Sequence, residues 1–124
     1  MKSFTDDMSE DVYIVPVPTA SARVRTRGYD QAALVARRLA RYSSRPYLPC
    51  LRRVGQHQQV GASATKRRTQ LSGAFRMRPM HLRDATVVLV DDVLTTGATL
   101  EAAAATLKRA GVKRVEAIVF AQAQ

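Results

Sequence analysis

The chain contains no tryptophan, and aromatic residues make up only 6% of its 124 residues. Its apolar content is mostly Ala, Val and Leu, which suits a helix-and-sheet domain rather than a disulfide-built knot. A single cysteine, Cys50, excludes an internal disulfide and a cysteine-based metal cluster. It is expected to be a buried small hydrophobe. No run approaches the ~20 apolar residues of a membrane-spanning helix, and the acidic N-terminus does not resemble a signal peptide. A soluble protein in a reducing, cytoplasmic setting is expected. Neither a Walker Gly-Lys-Ser/Thr nor a GxGxxG dinucleotide signature is present. There is no internal repeat.

Acidic residues are scarce in the middle of the chain. From Arg23 to Arg83 there are 15 Lys or Arg and one acid, Asp30, within a formal net charge of +10. Such a basic block, facing acids elsewhere in the chain, points to an anionic ligand: a polyphosphate or a nucleic-acid backbone.

The length suits one domain. Residues 1–11 are polar and acidic and read as a disordered leader; residues 12–124 form the domain. Val12–Val17 is β-branched and predicts a buried strand, with Pro16 and Pro18 marking its exit. Asp30 is the expected N-cap of a helix over Gln31–Tyr42, with Leu34, Val35 and Leu39 inward and Arg37, Arg38 and Arg41 outward. Tyr47–Arg53 is a weaker strand candidate because of Pro49. The polar stretch Val54–Gln70 predicts a long functional loop, and Gly73–Arg78 the strand returning from it. Thr86–Val90 predicts a buried strand, Asp91–Gly97 a turn, and Ala98–Ala110 a helix with Leu100, Ala104 and Leu107 on one face. Gly111 should end that helix, and Arg114–Phe120 is the next strand. The order strand, helix, strand predicts a parallel crossover.

The segment Asp91-Asp92-Val93-Leu94-Thr95-Thr96-Gly97-Ala98-Thr99 carries the chemistry. Ligands of open α/β sheets bind at the carboxyl ends of strands. The following helix start supplies unpaired amide N–H groups for a phosphate. Thr95, Thr96 and Thr99 add hydroxyls, and Gly97 is expected to allow close approach and an unusual φ. Two carboxylates would repel a bare phosphate. They suit vicinal hydroxyls and a hydrated magnesium ion. A ribose 5-phosphate satisfies both halves of the loop.

Val87–Leu100 (VVLVDDVLTTGATL) resembles the phosphoribosyl-pyrophosphate-binding signature of the type I phosphoribosyltransferases. Val15–Ala32 and Gln59–Phe75 resemble, in the same order, the Pro-Val-Pro … Arg-Gly-Phe-Asn-Gln and Arg-Arg … Gly-Ala-Phe segments of the ComF-like members. Tyr29, Asp30 and Gln70 stand where Phe, Asn and Asn are usual. The cysteine-containing zinc segment and the base-binding hood of many relatives are not found before residue 12.

The resemblance implies an α/β fold: a single-domain parallel sheet flanked by helices, with a flexible β-hairpin lid. It implies that Asp91 and Asp92 hold the ribose hydroxyls and that Thr95, Thr96, Gly97, Ala98 and Thr99 wrap the 5-phosphate. The Val17–Ala22 turn matches the family's pyrophosphate loop, with Arg23, Arg25 and Arg27 close enough to help neutralise the leaving pyrophosphate and Lys66, Arg67 and Arg68 on the lid. Magnesium would be held through the substrate and water near Asp91 and Asp92. The implied reaction moves the phosphoribosyl group to an unidentified nitrogen acceptor. The alternative is a non-catalytic DNA-uptake protein that binds single-stranded DNA or competence proteins. Where the basic residues point discriminates the two. His57 and His81 are expected to be non-catalytic. Tyr29, Tyr42 and Tyr47 could stack on bases, but those bordering the first helix are expected to pack.

Overall fold

The computed structural model describes residues 11–18, 30–54, 75–93 and 97–121. Strand β1 covers Val12–Pro16, helix α1 Gln31–Ser43, β2 Leu51–Arg53, β3 Phe75–Met77, β4 Thr86–Asp92, α2 Gly97–Arg109 and β5 Arg114–Phe120. Among the described residues β1, β4 and β5 form a parallel sheet with β4 central, and β2 and β3 form a separate antiparallel pair.

The period-two pleat divides the core. Val15 on β1 and Val87 and Leu89 on β4 join Ala102, Ala103 and Leu107 of α2 in one cluster. Ile14 and Val90 point the other way, onto Ala36 and Ala40 of α1. β4 is buried on both faces, which is why Thr86–Val90 reads as an unbroken apolar run. β5 sits at the edge, with Ile118 43% and Val119 47% exposed.

Asp30 caps α1 as expected, its Oδ1 accepting from the Ala33 N–H at 3.2 Å. The inner face of α1 differs from the one read in sequence. Ala32, Ala36 and Ala40 face the sheet, and Leu34 is only half-buried. Small side chains let the helix lie close to the strands, while Val35 and Leu39 pack at its flank. In α2 the buried residues are Thr99, Ala102, Ala103, Thr106 and Leu107; Leu100 and Ala104 are half-buried. Thr106 tolerates burial because its hydroxyl donates to the Ala102 carbonyl at 3.0 Å.

Both helices end in Schellman turns. In α2 the Gly111 N–H reaches the Lys108 carbonyl and the Val112 N–H the Leu107 carbonyl, with Gly111 at φ +99°. In α1 Ser44 takes the same left-handed role at φ 57°. The Tyr47–Arg53 candidate shortens to β2. Tyr47 keeps one bridge to Ile14, and Pro49 separates the two. Gly73–Arg78 likewise shortens to β3 within the described residues. Cys50 is fully buried and free. No helix among the described residues is long and apolar enough to cross a membrane.

Candidate functional site

Three segments meet at the carboxyl end of the sheet. β4 ends on Asp91 and Asp92, which pair in register with Val119 and Phe120 of β5. β1 ends alongside, where the Val17 N–H donates to the Val90 carbonyl at 2.9 Å. Only four residues separate Asp92 from α2, so the amino end of that helix lies at the same edge. Its first turn carries no acid, leaving its N–H groups and dipole suited to an anion.

Both carboxylates are buried, Asp91 3% and Asp92 6% exposed. Asp91 Oδ1 accepts the Asp92 N–H at 2.8 Å. The strand pleat sends the two side chains toward opposite faces, so they straddle the strand end. Burying adjacent carboxylates opposes folding unless their oxygens are partnered. No cluster of three or more His, Cys, Asp or Glu that could hold a metal occurs among the described residues. Among the described residues, the two carboxylates offer oxygen donors of the kind a hydrated magnesium ion accepts.

Thr99 is buried on the first turn of α2, and Ala98 is half-buried. Gly97 opens the helix with ordinary backbone angles, because its φ is not in the left-handed range. The unusual φ expected there is therefore corrected. Among the described residues nothing lies within 4 Å of where a Gly97 Cβ would sit.

Arg53 is a residue the sequence did not single out. Its Nε donates to the Pro18 carbonyl at 2.6 Å, and its guanidinium lies 5.1 Å from the Phe75 ring centre. It thus ties the β2–β3 pair to the exit of β1. That contact spans 35 residues, and no local pattern signals it. The predicted lid, with Lys66, Arg67, Arg68 and His57, lies outside the described residues, but the strands flanking it do pair antiparallel. Arg23, Arg25, Arg27, Tyr29, Thr95, Thr96 and the leader also lie outside them.

His81 sits at the opposite pole, before β4 begins. It lines a shallow cavity of about 450 Å³ with Arg83, Asp84 and Arg109. The length of β4 puts roughly 20 Å between that pole and the aspartates. Tyr42, expected to pack, is 90% exposed. Tyr47 does pack, with Arg37 over its ring at 5.6 Å.

A family model for the phosphoribosyl transferase domain matches residues 9–124. The chain belongs to the phosphoribosyl transferase family. Within it the domain is ComF-like. It is 36% identical over 114 residues to Competence protein F of Haemophilus influenzae, covering 89% of this chain and 50% of that protein. It is 33% identical over 98 residues to Competence protein ComFC of Bacillus subtilis, covering 79% of this chain and 39% of that protein. The phosphoribosyl transferase domain thus spans half or less of the length of these curated relatives. A solved hypoxanthine phosphoribosyltransferase from Staphylococcus aureus superposes with a TM-score of 0.52 at 14% identity, covering 94% of this chain and 54% of that one. That likeness is one of fold, and it agrees with the parallel sheet and flanking helices described above.

Proposed function

We propose that the domain binds phosphoribosyl pyrophosphate with magnesium at the carboxyl end of β4 and transfers its phosphoribosyl group to a nitrogen acceptor. The observation that carries this reading is the buried pair Asp91 and Asp92, ending a central strand four residues before an acid-free helix start. A ligand with a diol and a phosphate matches both sides of that junction.

In this reading Asp91 and Asp92 accept hydrogen bonds from the ribose hydroxyls. The first-turn amides, with Thr95, Thr96, Gly97, Ala98 and Thr99, hold the 5-phosphate. Arg23, Arg25 and Arg27, and Lys66, Arg67 and Arg68, offset charge on the pyrophosphate. The C1–O bond to pyrophosphate breaks, a C1–N bond forms, and the acceptor loses its N–H proton. The sugar carries positive charge in the transition state, so the two carboxylates stabilise it electrostatically while the chain positions both partners. Magnesium, when bound with the substrate, supplies further charge neutralisation at the leaving group.

The test is pyrophosphate release in a screen of nucleobases and amines, run with and without magnesium. Release with one acceptor class supports transfer. Ligand binding without release under any acceptor supports the non-catalytic alternative of a competence-associated DNA-uptake protein.

A further inference from the structure

The two edges of the parallel sheet differ. On β1 the outer edge is occupied: the Ile14 N–H donates to the Pro46 carbonyl at 2.9 Å, and the Leu48 N–H to the Ile14 carbonyl at 2.8 Å. On β5 no strand among the described residues pairs with the outer edge. The ladder shows which groups point out there. The Phe120 carbonyl accepts from the Val93 N–H, and the Arg114 N–H donates to the Ala85 carbonyl, so Arg114, Glu116, Ile118 and Phe120 bond inward to β4. By alternation Val115, Ala117 and Val119 present their amide and carbonyl groups outward.

Proteins blunt an open edge with lysine, proline, a bulge or a very short strand. β5 runs unbroken for seven residues and has none of these. It is apolar from Ala117 to Phe120, and Ile118 and Val119 are exposed on opposite faces of the sheet. Its charged residues, Arg114 and Glu116, close an ion pair with each other at 2.8 Å. The strand is therefore a neutral strip on a chain of formal net charge +10. A second copy carries the same charge and is repelled by the basic surface, but it meets no net charge along this strand.

The strand is also complementary to itself. Turned about a two-fold axis through Ala117, two β5 strands run antiparallel with each outward residue opposite another: Val115 faces Val119 of the second copy, and Ala117 faces Ala117. On the other face Arg114 lies opposite Phe120 and Glu116 opposite Ile118, so no like charges stand directly opposed. Any extended peptide satisfies the outward amides. The neutral strip and the self-matching register favour the chain itself.

We propose that β5 is a self-association edge, pairing antiparallel with β5 of a second copy to extend the sheet across a closed two-fold dimer. The β1 edge is covered, so the contact does not propagate. The proposal does not rest on the ligand assigned to Asp91 and Asp92, and it is read as mass rather than as ligand binding.

The test is analytical ultracentrifugation of the full chain. Its mass should move from one chain toward two between roughly 1 and 300 μM. Dimerisation should strengthen as salt rises to ~0.5 M, because salt screens the repulsion between two basic chains. Ile118→Lys with Val119→Lys should raise the dissociation constant at least about tenfold. Tyr42→Lys, at an exposed position on α1, should change it less than about twofold at the higher salt. Circular dichroism confirms that each variant folds. The register is read separately. Ala117→Cys should form an interchain disulfide with oxidised glutathione, because the facing Cα atoms lie about 5.5 Å apart in such a pair. Val119→Cys should not, because its two copies lie about 13 Å apart along the paired strands. Cys50 is buried and does not compete. A chain that stays monomeric throughout would overturn the proposal and leave the edge to an extended segment of another protein. A dimer unmoved by the double lysine variant would also overturn it, as would one that dissociates with rising salt or disulfides that form equally at the two positions.

Discussion

Arg53 of β2 donates from Nε to the carbonyl oxygen of Pro18 at 2.6 Å, bracing the exit of β1. Pro18 belongs to the Val17–Ala22 turn that the resemblance matches to the pyrophosphate loop, so the brace holds the described start of that segment.

Arg53→Ala removes a charge-assisted bond to a part-buried carbonyl, together with the packing against Phe75. It should destabilise the domain by about 1.5–3 kcal/mol in urea unfolding. It should also weaken phosphoribosyl pyrophosphate binding. A stability loss with unchanged affinity would confine Arg53 to the fold.

Gly97→Ala separates fold from function at the helix start. Among the described residues a Cβ there meets nothing within 4 Å, and φ lies outside the left-handed range, so the fold should be unharmed or gain up to about 1 kcal/mol. Ligand affinity should fall, because the methyl enters the space assigned to the 5-phosphate. Unchanged affinity in calorimetry would place the phosphate elsewhere.

Ser44 occupies a left-handed cap position where glycine carries no Cβ penalty. Ser44→Gly relieves about 1–2 kcal/mol of backbone strain and loses part of that to greater unfolded-state freedom. A net gain of about 0.5–1 kcal/mol in thermal or urea unfolding is expected.

Cys50 reports on the integrity of the core. Burial pushes its thiol from the ordinary 9.0 up to about 11, with Arg78 opposing the shift. Below pH 9 the thiol is protonated in both folded and unfolded chains. Between pH 9 and 11 the unfolded chain sheds the proton while the folded one keeps it, so stability falls with rising pH across that window. Above pH 11 both forms ionise and the loss levels off. Cys50→Ser should flatten this slope, and iodoacetamide at pH 8 should label the thiol only in denaturant.

The parts of the fold that are legible in sequence are those with local physical causes. β4 is an unbroken apolar run because both of its faces are covered. Asp30 and Gly111 announce the ends of helices through side-chain capping and left-handed backbone. The inner face of α1 is hidden because Leu34 outranks alanine in hydrophobicity, whereas close helix-to-sheet packing selects Ala32, Ala36 and Ala40. The exposure of Tyr42 is hidden because composition does not say which side of a helix its neighbours cover. Within the site, Asp91, Asp92 and the helix start lie within nine residues and announce themselves. The brace from Arg53 to Pro18 arises only when distant segments fold together, and its arginine looks like any other in the basic block.

Calorimetry of phosphoribosyl pyrophosphate against the native chain and against Asp91→Asn with Asp92→Asn tests the central claim most directly. Asparagine keeps an oxygen for the Asp92 N–H, so the fold should persist. Binding should require magnesium in the native chain and vanish in the double variant. Equal affinity in the two proteins, or binding indifferent to magnesium, would contradict the assignment of the carboxylate pair.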